Sequence, residues 1–97
     1  MNAPDAYRSI LRHHVATIEA KYPLKIVGIL PRGSAVHVFE DGALDLLAEK
    51  REGLSYFGIS GAEIDLGDLI GRPVGIVMVS ELSGREAVEL PASATPL

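Results

Sequence analysis

Two short apolar runs, Leu24–Leu30 and Val74–Val79, constrain this chain more than anything else in it, because Lys25 is the only charged side chain in either. Successive residues of a strand point to opposite faces, so runs of this kind carry apolar side chains on both faces and need cover on both. Each is far too short for a transmembrane helix, which takes about 20 apolar residues. They are bounded by Pro23, Pro31 and Pro73 and read as buried strands, the first of them central. The chain has 97 residues and no cysteine, so neither disulfides nor thiolate-bound zinc can hold it together. Apolar burial must do so, and 47% hydrophobic residues give it the material.

Around these runs the pattern alternates between helix and strand. From Ala6 to Lys21 the apolar residues Tyr7, Leu11, Val15 and Ile18 recur at helical spacing, with Asp5 placed to cap after Pro4 and Pro23 to stop the helix. Asp41-Gly42 between Ser34–Glu40 and Ala43–Ala48 is a hairpin signal, since such turns need positive φ. Gly58, Gly61 and Gly67 interrupt the next helical pattern at a cost of about 1 kcal/mol each. The second helix is therefore expected over Gly61–Ile70, stopped by Gly71. A last helix is expected over Glu81–Val88, capped by Ser80. This order implies an α+β domain: a mixed sheet of Leu24–Leu30, Ala43–Ala48 and Val74–Val79 with helices packed on it, over residues 1–90. Residues 91–97 read as a flexible C-terminal tail.

The formal net charge is −4 and no dense Lys/Arg cluster exists, so no nucleic-acid partner is expected. The start of the chain lacks the apolar stretch of a signal peptide, and no segment is long enough to span a membrane. Cytoplasmic localisation is the expectation.

Three segments, Ile26-Val-Gly-Ile-Leu30, Gly42-Ala-Leu-Asp-Leu-Leu-Ala-Glu49 and Leu69-Ile-Gly-Arg-Pro-Val-Gly-Ile-Val77, resemble the minimal nucleotidyltransferases of the polymerase-β-like superfamily. The resemblance covers about Ala6 to Val88 in element order. It implies a nucleotidyltransferase-like mixed sheet. In that family the first strand leads into a Gly-Ser turn and a short helix ending Arg-Gly. The second strand carries two aspartates separated by one residue, and the third, after Leu-Leu-Gly-Arg, bears another. Carboxylates two apart on a strand project together, and a third from the neighbouring strand completes an oxygen cage for magnesium. The metal then orients a triphosphate for nucleotidyl transfer to a hydroxyl.

This chain departs from that pattern at most of its functional positions. The first aspartate falls on Ala43, the second on Asp45 and the third on Gly75, leaving Asp45 alone as a vestige of the catalytic and metal site. Without a gap the Gly-Ser turn falls on Pro31-Arg32; with a two-residue deletion it falls on Gly33-Ser34. Arg32, Gly33 and Ser34 form the one phosphate-binding candidate, against the plainer reading of a turn with an exposed arginine. Asp45 itself reads equally as a metal-site relic or as a polar residue on the open face of a sheet. Glu40 and Asp41 read as turn residues. His13 and His14 point about 100° apart on a helix and cannot pair as ligands; His37 reads as a solvent-facing strand residue. No serine sits in a nucleophile context.

The resemblance, with its missing carboxylates, implies an inactive nucleotidyltransferase-fold protein acting as an antitoxin-like or regulatory interaction module, without a cofactor. The alternative is an active enzyme with a rearranged site that would need magnesium. Its partner is expected to be a second copy or a helical protein of the HEPN type, which the family often pairs with. Tyr56, Phe57, Ile59, Val36, Val38 and Phe39 exceed what a core this small can cover, so some are expected at the surface as an association site.

Overall fold

A computed structural model describes residues 3–34 and 41–97, with side chains from residue 7 onward. Three α-helices and a three-stranded sheet follow one another as α1 (Ala3–Lys21), β1 (Leu24–Ile29), β2 (Leu44–Lys50), α2 (Tyr56–Ile70), β3 (Val74–Met78) and α3 (Glu86–Ser93), with a 3-10 turn at Val79–Glu81. The fold is α+β, as the patterning implies. All three expected strands lie in one sheet, in the order β1-β2-β3.

The order corrects one expectation. Among the described residues β1 is an edge strand, and β2 is central, antiparallel to β1 and parallel to β3. Leu44 to Ala48 are buried at five successive positions, whereas β1 alternates, with Lys25 exposed. An aspartate near the start of β2 disguises the strand that is covered on both faces. The parallel β2–β3 pair needs a crossover connection, and α2 supplies it.

One face of the sheet, with Leu24 and Ile26, Leu44, Leu46 and Ala48, and Ile76 and Met78, packs on α1 and α2. α1 contributes Leu11, Val15 and Ile18, the stripe its periodicity marks; Tyr7 at the end of the stripe is 40% exposed. The helix begins earlier than expected. Pro4 sits in the first turn, where its missing N–H is no loss, so Asp5 lies inside the helix.

α2 also begins earlier, at Tyr56. Ser55 is its N-cap, with the hydroxyl accepting from the Gly58 N–H at 3.2 Å, and Gly71 ends it at φ +75°. Gly61 is a point of close approach. A Cβ there would lie 2.8 Å from the Tyr22 hydroxyl, so the glycine lets the phenol cross the helix. That hydroxyl donates to Asp65 Oδ2 at 2.6 Å, and Lys21 Nζ reaches the same oxygen at 2.6 Å.

The expected hairpin between Ser34–Glu40 and Ala43–Ala48 is described on one side only. Its arm at residues 35–40 lies outside the described residues, while β2 has one edge on β1 and the other on β3. Gly42 has φ +80°, the left-handed conformation that the Asp-Gly signal calls for. The last helix is displaced, because Gly84 at φ +56° breaks the chain after the 3-10 turn and α3 runs from Glu86 through Pro91 to Ser93. Beyond it Thr95 pairs with Ile29 through two backbone hydrogen bonds of 2.8 and 2.7 Å, so residues 91–97 are partly tied to β1. No helix among the described residues is long and apolar enough to cross a membrane.

Candidate functional site

Asp45 is the second residue of β2 and its side chain is 3% exposed. A carboxylate in that position loses its hydration and needs hydrogen-bond donors in exchange. The chain supplies them by folding the segment after β1 back over it. The Leu30 N–H bonds the Asp45 carbonyl at 2.8 Å, extending the antiparallel ladder by one rung. Pro31 then opens a turn closed by the Ser34 N–H on the Pro31 carbonyl at 3.3 Å and by the Ser34 hydroxyl on the same oxygen at 2.7 Å. Gly33 at φ +86° fills the third position of that turn, where a left-handed conformation favours glycine. The N–H groups of Gly33 and Ser34 then point at Asp45 and donate to its Oδ2 at 2.7 and 3.0 Å.

Of the two alignments for the Gly-Ser turn, Gly33-Ser34 is therefore the pair held against Asp45, and Pro31-Arg32 precedes it. Asp45 does not lie on an open face, as one reading of the sequence has it, because this turn covers it. Consecutive N–H groups converging on one oxygen form an anion-binding concavity, and here an aspartate of the same chain fills it. The other oxygen, Asp45 Oδ1, is buried and has no hydrogen-bond partner among the described residues.

The residue paired with Asp45 across the parallel ladder is Gly75, and Ala43 lies two positions before it on the same chain. Neither brings an oxygen-bearing side chain. Among the described residues no group of three or more His, Cys, Asp or Glu is placed to hold a metal. Magnesium prefers octahedral oxygen ligation and sheds water reluctantly, so a single buried carboxylate with one oxygen already bonded to two amides does not fit it.

The other candidates disperse. Arg32 is exposed and faces Asp41 at 3.6 Å, a weak surface pair at the turn. His13 and His14 meet edge to face on α1 with ring centroids 5.6 Å apart and gather no third ligand among the described residues. His37, Glu40, Val36, Val38 and Phe39 lie outside the described residues. Arg72 has a role that spacing did not reveal. Its Nε donates to the Gly42 carbonyl at 2.6 Å and a guanidinium nitrogen contacts the Tyr7 hydroxyl at 3.2 Å, fixing the entry to β2 against α1. The Gly71-Arg72-Pro73 sequence was its one visible signal.

No family profile matches the chain, and no curated protein is recognisably similar to it in sequence. A solved structure, provisionally described as a minimal nucleotidyltransferase, superposes with a TM-score of 0.74 at 25% identity, over 96% of this chain and 94% of the other. Near-complete coverage of both chains extends the likeness to the whole fold, beyond the three segments that first carried it. The chain therefore has a nucleotidyltransferase fold of the minimal type.

Proposed function

We propose that this chain is a nucleotidyltransferase-fold protein that does not transfer nucleotides and acts in the cytoplasm as a protein-interaction module, antitoxin-like or regulatory. The state of Asp45 carries this reading. The one carboxylate left from the three expected of such a site accepts hydrogen bonds from Gly33 and Ser34, the turn that would otherwise meet phosphate, and it faces Gly75. Metal and triphosphate thus lose their binding groups at one place. Titration calorimetry with magnesium-ATP is expected to show no stoichiometric complex tighter than roughly 100 μM, an affinity of about 5.5 kcal/mol. A tighter complex accompanied by nucleotidyl transfer to an acceptor hydroxyl would establish the active alternative, with magnesium in a rearranged site.

For an interaction module, the exposed aromatics at the start of α2 are the natural contact. Tyr56 is 81% and Phe57 90% exposed, side by side, and large exposed apolar groups commonly mark association sites. The partner is a second copy of the chain or a helical protein of the HEPN type. Phe57→Asp should leave folding stability within about 0.5 kcal/mol while weakening assembly, measured by sedimentation of the protein with its partner. Asp45→Asn should leave assembly intact. A chain that stays monomeric and recovers no stoichiometric partner from its host would refute the module.

A further inference from the structure

Both edges of the three-stranded sheet end in backbone groups that a further strand would seek, yet the chain occupies them itself. On β1 three N–H groups bond outside the β1–β2 ladder: Leu24 to the Tyr22 carbonyl at 2.9 Å, Ile26 to Glu19 Oε2 at 2.9 Å, and Ile29 to the Thr95 carbonyl at 2.8 Å. On β3 the middle residue, Ile76, donates to Glu63 Oε2 at 2.7 Å. The two glutamates come from different helices, α1 and α2, and reach opposite edges of one sheet. Each places a half-buried carboxylate on the N–H of the central residue of its edge strand.

We infer that Glu19 and Glu63 close the sheet to strand addition, so that a second copy cannot join it edge to edge while these carboxylates are in place. An unpaired edge is a template for association with another strand, and inward-pointing charge is one way folded proteins block it. A carboxylate suits the task for two reasons. It accepts the N–H that an incoming carbonyl would need, and its negative charge repels the carbonyl oxygens of an approaching strand. The β3 edge has more need of it. Beside it runs a groove lined by Tyr56, Ile59, Glu63, Ile76, Met78 and Glu81, whose apolar lining would otherwise receive the alternate side chains of an extended segment. The inference is independent of whether the protein binds nucleotide, and it confines partner contacts to side chains on the helices and loops.

The test compares Glu63→Ala, Glu19→Ala and the double variant with Glu63→Gln and Glu19→Gln, in which a carbonyl oxygen still accepts the N–H. Sedimentation and thioflavin fluorescence up to about 1 mM, the top of the range in which exposed edges drive association, should show the alanine variants, above all the double one, forming larger species than the parent. The glutamine variants should stay in the parent's state. Amide exchange gives a second readout that survives poor folding of any variant: in the parent, the Ile26 and Ile76 amides should exchange slowly, as hydrogen-bonded core groups do. Folded alanine variants that keep the parent's assembly state would overturn the inference, as would unprotected Ile26 and Ile76 amides in the parent.

Discussion

Replacing Asp45 by alanine separates a structural carboxylate from a surplus one. In the folded chain Asp45 is 3% exposed and receives two backbone N–H groups at 2.7 and 3.0 Å. Hydrogen bonds to a charged group contribute about 1.5–3 kcal/mol each. Oδ1, which has no donor among the described residues, opposes this, since a buried acceptor without a donor costs about 1–3 kcal/mol. Alanine would remove both contributions and leave the Gly33 and Ser34 N–H groups to find water. The net expectation is a loss of about 2–3 kcal/mol, seen in guanidinium unfolding as a lower midpoint at unchanged slope. For a chain of this size that is a fall in melting temperature of roughly 10–20 °C. Asp45→Asn keeps one carbonyl oxygen for the two amides and puts an NH₂ in place of Oδ1, so its loss should be about half as large or less. A residue kept for catalysis, or lying on an open sheet face, would behave differently, because its removal should change stability by no more than about 0.5 kcal/mol. An alanine variant as stable as the parent would refute the structural role.

Two further predictions concern the contact between α1 and α2. The hydrogen bond from Lys21, and after it that from Tyr22, holds the Asp65 carboxyl below its usual value of 3.8, while the hydrogen bond with Asp65 raises Lys21 above 10.5 and Tyr22 above 10.0. The Asp65 contribution is thus present above the ordinary carboxyl value and lost as pH falls through its lowered one. The Lys21 and Tyr22 contributions are present below their ordinary values and lost as pH rises through their raised ones. Denaturant midpoints should accordingly show Asp65→Asn destabilising by a constant amount from about pH 5 to pH 9 and converging on the parent at both extremes; a gap unchanged at low pH would contradict this. Gly61→Ala should gain little or lose stability despite the usual benefit of about 1 kcal/mol, because its Cβ would meet the Tyr22 hydroxyl at 2.8 Å. In a Tyr22→Ala background the full benefit should return, and equal effects in both backgrounds would show that the two residues do not touch.

The sequence carries burial more openly than neighbourhood. The α1 stripe of Leu11, Val15 and Ile18 and the three strands are visible because periodicity reports which side chains leave water. Which strand is central is a lateral question, and β2 hid its place because Asp45 makes it look half-polar. The pairing of β2 with β1 is a contact remote in sequence that local turn preferences do not register. The glycines of α2 read as interruptions, yet Gly61 is required by Tyr22, in the bend between α1 and β1. The Pro31–Ser34 turn was legible as a turn and as a candidate beside Asp45. That its N–H groups close on that aspartate followed only from the turn's position over β2.

Asp45, Glu19 and Glu63 do the same thing in three places. Each is a carboxylate set on backbone N–H groups that would otherwise face something outside the fold: a phosphate at Gly33 and Ser34, or a strand at Ile26 and Ile76. A carboxylate accepts without donating, so it answers a bare N–H completely and excludes an anion or a carbonyl from the same position. Backbone recognition is thereby closed at the anion concavity and at the centre of both sheet edges. Side-chain recognition remains open, most of all at Phe57, which lies in none of these closures. A fold that catalyses nucleotidyl transfer must do the reverse, keeping its turn amides free for phosphate and its carboxylates free for metal. The proposed interaction role rests on this allocation of donors.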